Sequence, residues 1–203
     1  MNYLGVRVSA VIEASIESIW AVVSDVTRHP DLAGSGEVQH VEWRTAPGAN
    51  GIFKSRQMIQ GLRYPTESHV VVWEPPYRFA WQIRFPSSPT GLQIWQFALS
   101  SEGSGTRVEN SVVLPVAIPS VWPLTDLSRM GLEQEVRNMK PTFINLARIL
   151  SAHEPEAMTI TYAPPANTAA LFPTPLLQGA VWLGAGVGLA LWAVKSLGGA
   201  AEE

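Results

Sequence analysis

The sequence predicts an α+β fold: a curved antiparallel sheet of seven strands wrapped on one long helix, followed by a single membrane-spanning helix. Three observations carry that expectation. Six strand-like runs follow one another between residues 38 and 114, separated only by short turn segments. A helical stretch over 125–151 carries Leu132, Val136, Met139, Phe143, Leu146 and Leu150 at steps of four and three, which draws one apolar stripe down one face. Finally, no Asp, Glu, Lys or Arg stands between Glu156 and Lys195, and that gap holds all but the last three residues of the apolar run 176–197.

Residues 6–12 alternate as a strand does, and Ser15 is placed to cap a short helix whose Ile16, Ile19, Trp20 and Val23 share a face. A second helical turn is expected over 27–33, ended by Pro30 and by the loop at Gly34 and Gly36. Runs rich in aromatic and β-branched residues follow at 38–44, 51–59, 64–74, 78–85, 91–101 and 106–114. The turn chemistry between them is APGANG, QGLR, EPPY, PSSPTG and EGSGT, which predicts an antiparallel meander. An uncharged, proline-punctuated stretch, PVAIPSVWPL, leads into the long helix, and Pro141 predicts a kink in the turn before it.

Residues 152–175 carry five prolines and no periodicity, and read as an extended linker. At about 1.5 Å per residue the run 176–197 reaches across a hydrocarbon layer of about 30 Å. The expected organisation is a folded domain over 1–151, the linker over 152–175, a transmembrane helix over 176–197 and a short tail over 198–203.

Composition limits what this body does. The chain has 203 residues and a formal charge of -3, but its acidic and basic residues balance up to Ser151, so nucleic acid is not an expected partner. The absence of cysteine removes disulfides, thiolate metal sites and a cysteine nucleophile. His29, His40, His69 and His153 are too widely spaced for a metal motif, and Asp25 and Asp31 read as helix-end chemistry. No catalytic or metal-binding constellation emerges, and no cofactor is required. The amino terminus lacks a basic region followed by a long apolar core, which places the body on the cytoplasmic side of a single-pass membrane protein.

A sheet curved around one helix makes the space between them the default binding site. The segments VSAVIEASIESIWAVVSDVTRHP, VVVWEPPYRFAWQI and GTRVENSVVL, in that order, resemble the START-like, Bet v 1-like (SRPBCC) superfamily, and within it the polyketide cyclase/dehydrase and lipid-transport group. The resemblance spans roughly the first 150 residues, the size of one domain. It implies a helix-grip fold with a deep apolar cavity for a lipid, quinone, polyketide or similar ligand. It does not imply an enzyme, because members share the cavity and differ in what they do with it.

Strand alternation nominates the lining of that cavity: Phe53, Trp81, Trp95 and Phe97 from strands, with Met139 and Phe143 from the helix. Ser55, Gln57 and Asn110 share the inward alternation and are the candidate polar groups. In the membrane run, Ala180, Gly184 and Gly188 recur every four residues, which predicts close approach of a partner helix, from a second copy or a larger complex. Trp182, Trp192 and Lys195, with Trp122 before the long helix, are expected at the bilayer interface.

The leading expectation is a membrane-anchored protein that binds or transfers a hydrophobic small molecule. An accessory subunit of a membrane complex and a polyketide cyclase or dehydratase are the alternatives.

Overall fold

A computed structural model describes residues 5–59, 61–84, 91–113 and 124–163. The chain begins with β1 (Gly5–Ile12), then α1 (Ile16–Val23), a 3-10 turn (Val26–Arg28) and the single-turn α2 (His29–Leu32). Ser15 caps α1 as its sequence position suggests, its side chain accepting from the Ser18 amide at 3.2 Å. Six antiparallel strands follow: β2 (Val38–Trp43), β3 (Ile52–Ile59), β4 (Leu62–Glu74), β5 (Arg78–Arg84), β6 (Gly91–Glu102) and β7 (Gly105–Val113). The helix α3 (Leu124–Ile149) comes next, and β8 (Thr159–Ala163) is the last described element.

All eight strands form one antiparallel sheet in the order β2-β3-β4-β5-β6-β7-β1-β8. The meander is as expected, but the sheet has eight strands rather than seven. The additional one lies inside the stretch that reads as linker. Thr159, Ile160, Thr161 and Tyr162 are β-branched or aromatic, and they pair with β1, whose outer edge would otherwise have no partner. β1 is thus held between β7 on one side and β8 on the other.

The register sorts the side chains by face. Paired residues point the same way, so Trp43, Phe53 and Ser68 form one inward row, and Trp73, Phe79, Phe97, Asn110 and Val8 another. An irregularity between Val70 and Val72 turns β4 by one residue, so Val70 and Trp73 both face inward while Val72 faces out. The stripe of α3 covers this face: Leu132, Val136, Met139, Phe143 and Leu146 are buried in one core with Val6, Val8, Ile12, Phe53, Phe79, Trp81 and Phe97. Val72, Ala80, Ile94 and Val113 make a smaller apolar cluster on the opposite face.

Pro141 sits inside α3, which is assigned as helix from Leu124 to Ile149 without a break. Gly34 seats the α2 end on that turn: its amide donates to Thr142 Oγ1 at 2.9 Å, and Thr142 Oγ1 donates to the Asn138 carbonyl at 3.2 Å. A Cβ at position 34 would lie 2.4 Å from that carbonyl oxygen, so only glycine allows the approach. Among the described residues no helix is long and apolar enough to cross a membrane. The predicted membrane helix 176–197, with Ala180, Trp182, Gly184, Gly188, Trp192 and Lys195, and the segment carrying Trp122 lie outside the described residues.

Candidate functional site

All nine candidate lining residues project from the two surfaces that face each other, the concave side of the sheet and the stripe of α3. Phe53, Ser55, Gln57, Trp81, Phe97, Asn110, Met139 and Phe143 are buried, and Trp95 is half-buried at the margin. The aromatic members form a continuous run. Trp81 stacks on Phe79 with ring centroids 4.9 Å apart, and touches Phe53 at 6.2 Å and Phe97 at 6.1 Å. Trp73, Trp43 and Trp20 extend the run toward α1 through further ring contacts.

The polar candidates separate into different situations. Asn110 is buried between Phe97 and Val8, and its Oδ1 has no hydrogen-bond partner. Ser55 pairs across strands with Thr66, whose Oγ1 is likewise buried and unpartnered. Gln57 lies opposite Tyr64, one row nearer the end of the β3–β4 hairpin. Asn110 therefore sits among the aromatic rings, while Ser55, Gln57, Thr66 and Ser68 form a polar strip on β3 and β4.

A polar bridge ties the margin of this region to the helix. Trp95 Nε1 donates to Gln93 Oε1 at 3.0 Å, and Gln93 Nε2 donates to Glu135 Oε1 of α3 at 3.1 Å. Asn138 Nδ2 donates to the other Glu135 oxygen at 3.2 Å, so the carboxylate is held from both sides. Burial, with Glu37 and Glu135 nearby, pushes the Tyr64 hydroxyl up from its ordinary value, which keeps it protonated and able to donate.

Sequence reasoning missed His29. Its ring is buried and lies 5.3 Å from Trp81 and 6.3 Å from both Phe53 and Phe79. Because a carbonyl only accepts, Nε2 must be the protonated nitrogen donating to the Val23 carbonyl at 3.0 Å, and Nδ1 is then the acceptor of the ring. Burial lowers the imidazole pKa from 6.5, opposed by that hydrogen bond and by Asp25, so the ring is held neutral. The only local sign was a histidine directly before a helical proline, and the rings that enclose it come from β3 and β5. Glu135 and Gln93 were missed for a similar reason, since a strand and a distant helix bring them together.

Among the described residues no three His, Asp or Glu side chains are placed to hold a metal ion. The arrangement offers a cluster of aromatic rings packed under α3, isolated acceptors and a neutral imidazole. That is suited to holding an apolar molecule by a few polar contacts, and an unidentified hydrophobic ligand is compatible with it.

Comparison with known proteins points the same way. The model of the family described as polyketide cyclase / dehydrase and lipid transport matches residues 4–142. No curated protein matches the chain. Among solved structures, a protein of Nitrosomonas europaea superposes with a TM-score of 0.56 at 13% identity, covering 73% of this chain and 94% of its own. A Thermus thermophilus protein gives 0.53 at 22% identity, covering 72% and 97%. The di-domain ARO/CYC StfQ of the steffimycin biosynthetic pathway gives 0.55 at 12% identity, over 71% of this chain and 49% of that one. At these identities the likeness is one of fold.

Proposed function

The chain belongs to the polyketide cyclase/dehydrase and lipid-transport family, and on that premise we propose that it binds or hands over a hydrophobic small molecule at a membrane. The molecule is of the lipid, quinone or polyketide-like kind, held between α3 and the concave face of the sheet. The observation that carries this reading is Asn110 Oδ1, buried without a partner in a lining of aromatic rings. An unsatisfied buried acceptor costs about 1–3 kcal/mol. A mostly apolar ligand with one hydroxyl or N–H donor recovers that cost.

The membrane attachment is supported by the apolar run 176–197, whose one charged residue is Lys195 near its end, and by its small-residue face, which suits a partner helix. Organic extraction and native mass spectrometry of the full chain purified from membranes test the reading together. A stoichiometric hydrophobic molecule is expected in the wild type and a reduced amount in Asn110→Leu. Wild-type protein that carries no such molecule, in detergent and in lipid nanodiscs alike, overturns it.

A second reading, a cyclase or dehydratase, is favoured by His29. Its neutral imidazole, fixed by Val23 against the Trp81 ring, has the form a general base needs. Turnover of a polyketide-like substrate that is lost in His29→Gln while the ligand still binds would select this reading over simple transfer.

A further inference from the structure

The outward face of the sheet carries its bases in two different states. Arg7, Arg78 and Arg107 are each paired with a carboxylate, Glu109 at 2.8 Å, Glu74 at 2.8 Å and Glu102 respectively. At the corner formed by β3, β4 and the end of β5 the pattern changes. The register places Lys54, Glu67 and Arg84 in one outward row across three strands, with Arg56 opposite Pro65 and Arg63 opposite Met58. Glu42 and Glu67 are the carboxylates of this corner, opposite Lys54 on its two sides, and each has a histidine beside it: His40 Nε2 lies 3.9 Å from Glu42 and His69 Nε2 2.8 Å from Glu67. Arg84 is occupied by Gln82 Oε1, a neutral group, at 3.0 and 2.6 Å. Among the described residues no carboxylate lies within ion-pair distance of Lys54, Arg56, Arg63 or Arg84.

Four bases therefore face outward together in a chain whose formal charge is -3. Glu42 and Glu67 stand in the same row and offset part of this positive charge, and a partner that brings further negative charge balances the excess. The end of the same hairpin is apolar. Leu62 is 56% exposed, it pairs with Ile59 across the turn, and Arg63 follows it directly. Among the described outward residues of the corner none is Trp, Tyr or Phe, and the His40 and His69 imidazoles are turned to Glu42 and Glu67, so no broad ring is presented there for a nucleobase.

We infer that this corner is a docking surface for an anionic lipid bilayer, with the bases on the headgroups and Leu62 entering the interface. Bases beside an exposed leucine at a hairpin tip match a surface that is charged outside and apolar beneath. Tyr64 of the same hairpin faces inward near Glu37 and Glu135, so docking here brings the margin of the helix–sheet region toward the lipid. The bases stand on the sheet's outward face and Leu62 at the hairpin tip on the side of Tyr64, beyond the buried residues of the inner face, so the surface stands whether or not that face holds a ligand.

The chain has no cysteine, so Leu62→Cys in the full chain takes a single polarity-sensitive fluorophore. Vesicles of phosphatidylcholine with phosphatidylserine are expected to shift its emission to the blue, and vesicles of phosphatidylcholine alone are not. Attachment through residues 176–197 would occur with both, and the probe at position 62 reads only the hairpin. Adding Lys54→Gln, Arg56→Gln and Arg63→Gln should weaken the response about fivefold per charge, on the order of 100-fold together. These side chains lie on the surface, and an unchanged circular dichroism spectrum checks that the fold persists. Equal shifts with both vesicle types, no shift with either, or a shift indifferent to the three substitutions would overturn the inference. So would tighter binding of an oligonucleotide or an acidic peptide than of anionic vesicles. Ligand content measured on the same samples reports on the inner face separately.

Discussion

Asn110 and His29 are the two side chains whose chemistry is least explained by packing alone. Replacing Asn110 by Leu removes an unpaired buried acceptor while keeping the branched heavy-atom skeleton of the side chain. Ligand-free protein should gain about 1–2 kcal/mol in urea unfolding while losing its ligand. A loss of stability would mean that Oδ1 is paired in solution. For His29 the sign follows from burial. Its folded pKa is lowered from 6.5, so the unfolded chain takes up the proton first as the pH falls. The stabilising contribution is complete above 6.5 and declines below it until the folded pKa is reached. Urea midpoints measured at pH 7.5, 6 and 5 should fall through that range, and His29→Gln should flatten the part of the slope due to this group. His29 was illegible in the sequence because nothing near position 29 announces Phe53, Phe79 and Trp81, which lie at least 24 residues further along and arrive only through the sheet. Asn110 was legible, because its place between Val108 and Val112 on a strand is enough to turn it inward.

Among the elements, α3 is held at two places: its stripe on the sheet and its Pro141 turn against Gly34. Gly34→Ala puts a methyl group against the Asn138 carbonyl, the Thr142 amide and Pro141, all under 3.0 Å and none the end of a flexible side chain. We expect about 1–3 kcal/mol of destabilisation, read from thermal or urea unfolding. Phe143→Ala, which empties a fully buried position, should cost about 3–5 kcal/mol by the same measurement. The stripe that buries Phe143 could be read directly, since its period is a local property of the helix. The strand β8 could not. Its five residues lie shortly after Pro155 and just before Pro164, too short for alternation to outweigh the linker composition. What makes them a strand is the open edge of β1, a partner supplied from the opposite end of the chain.

For the molecule as a whole, the folded body and the predicted anchor are separable at a defined point. β8 ends at Ala163, so a chain stopped after that residue retains all eight strands and α3. On the membrane reading, this shortened chain should leave the pellet and appear in the soluble fraction, while the full chain resists extraction with alkaline carbonate. A full chain extracted as readily as the shortened one would remove the anchor from the account. Gly184→Ile with Gly188→Ile should leave the chain in the membrane but separate it from a helical partner, visible as a smaller complex on native gels. The order of meander and helix, and the family resemblance over the first part of the chain, were open to reading because each depends on neighbouring residues. The basic corner of the sheet was not, since Lys54, Arg63 and Arg84 become neighbours only once three strands are in register.

The pairing of β1 with both β7 and β8 also sets a schedule. Val8 finds Asn110 on one side and Ile160 on the other, so the first strand to emerge during synthesis is among the last to be enclosed. At about 5–20 residues per second its apolar face waits on the order of ten seconds for its neighbours. Throughout that interval Val6, Val8 and Ile12 stand open to other chains, and nascent β1 is where a chaperone should be found.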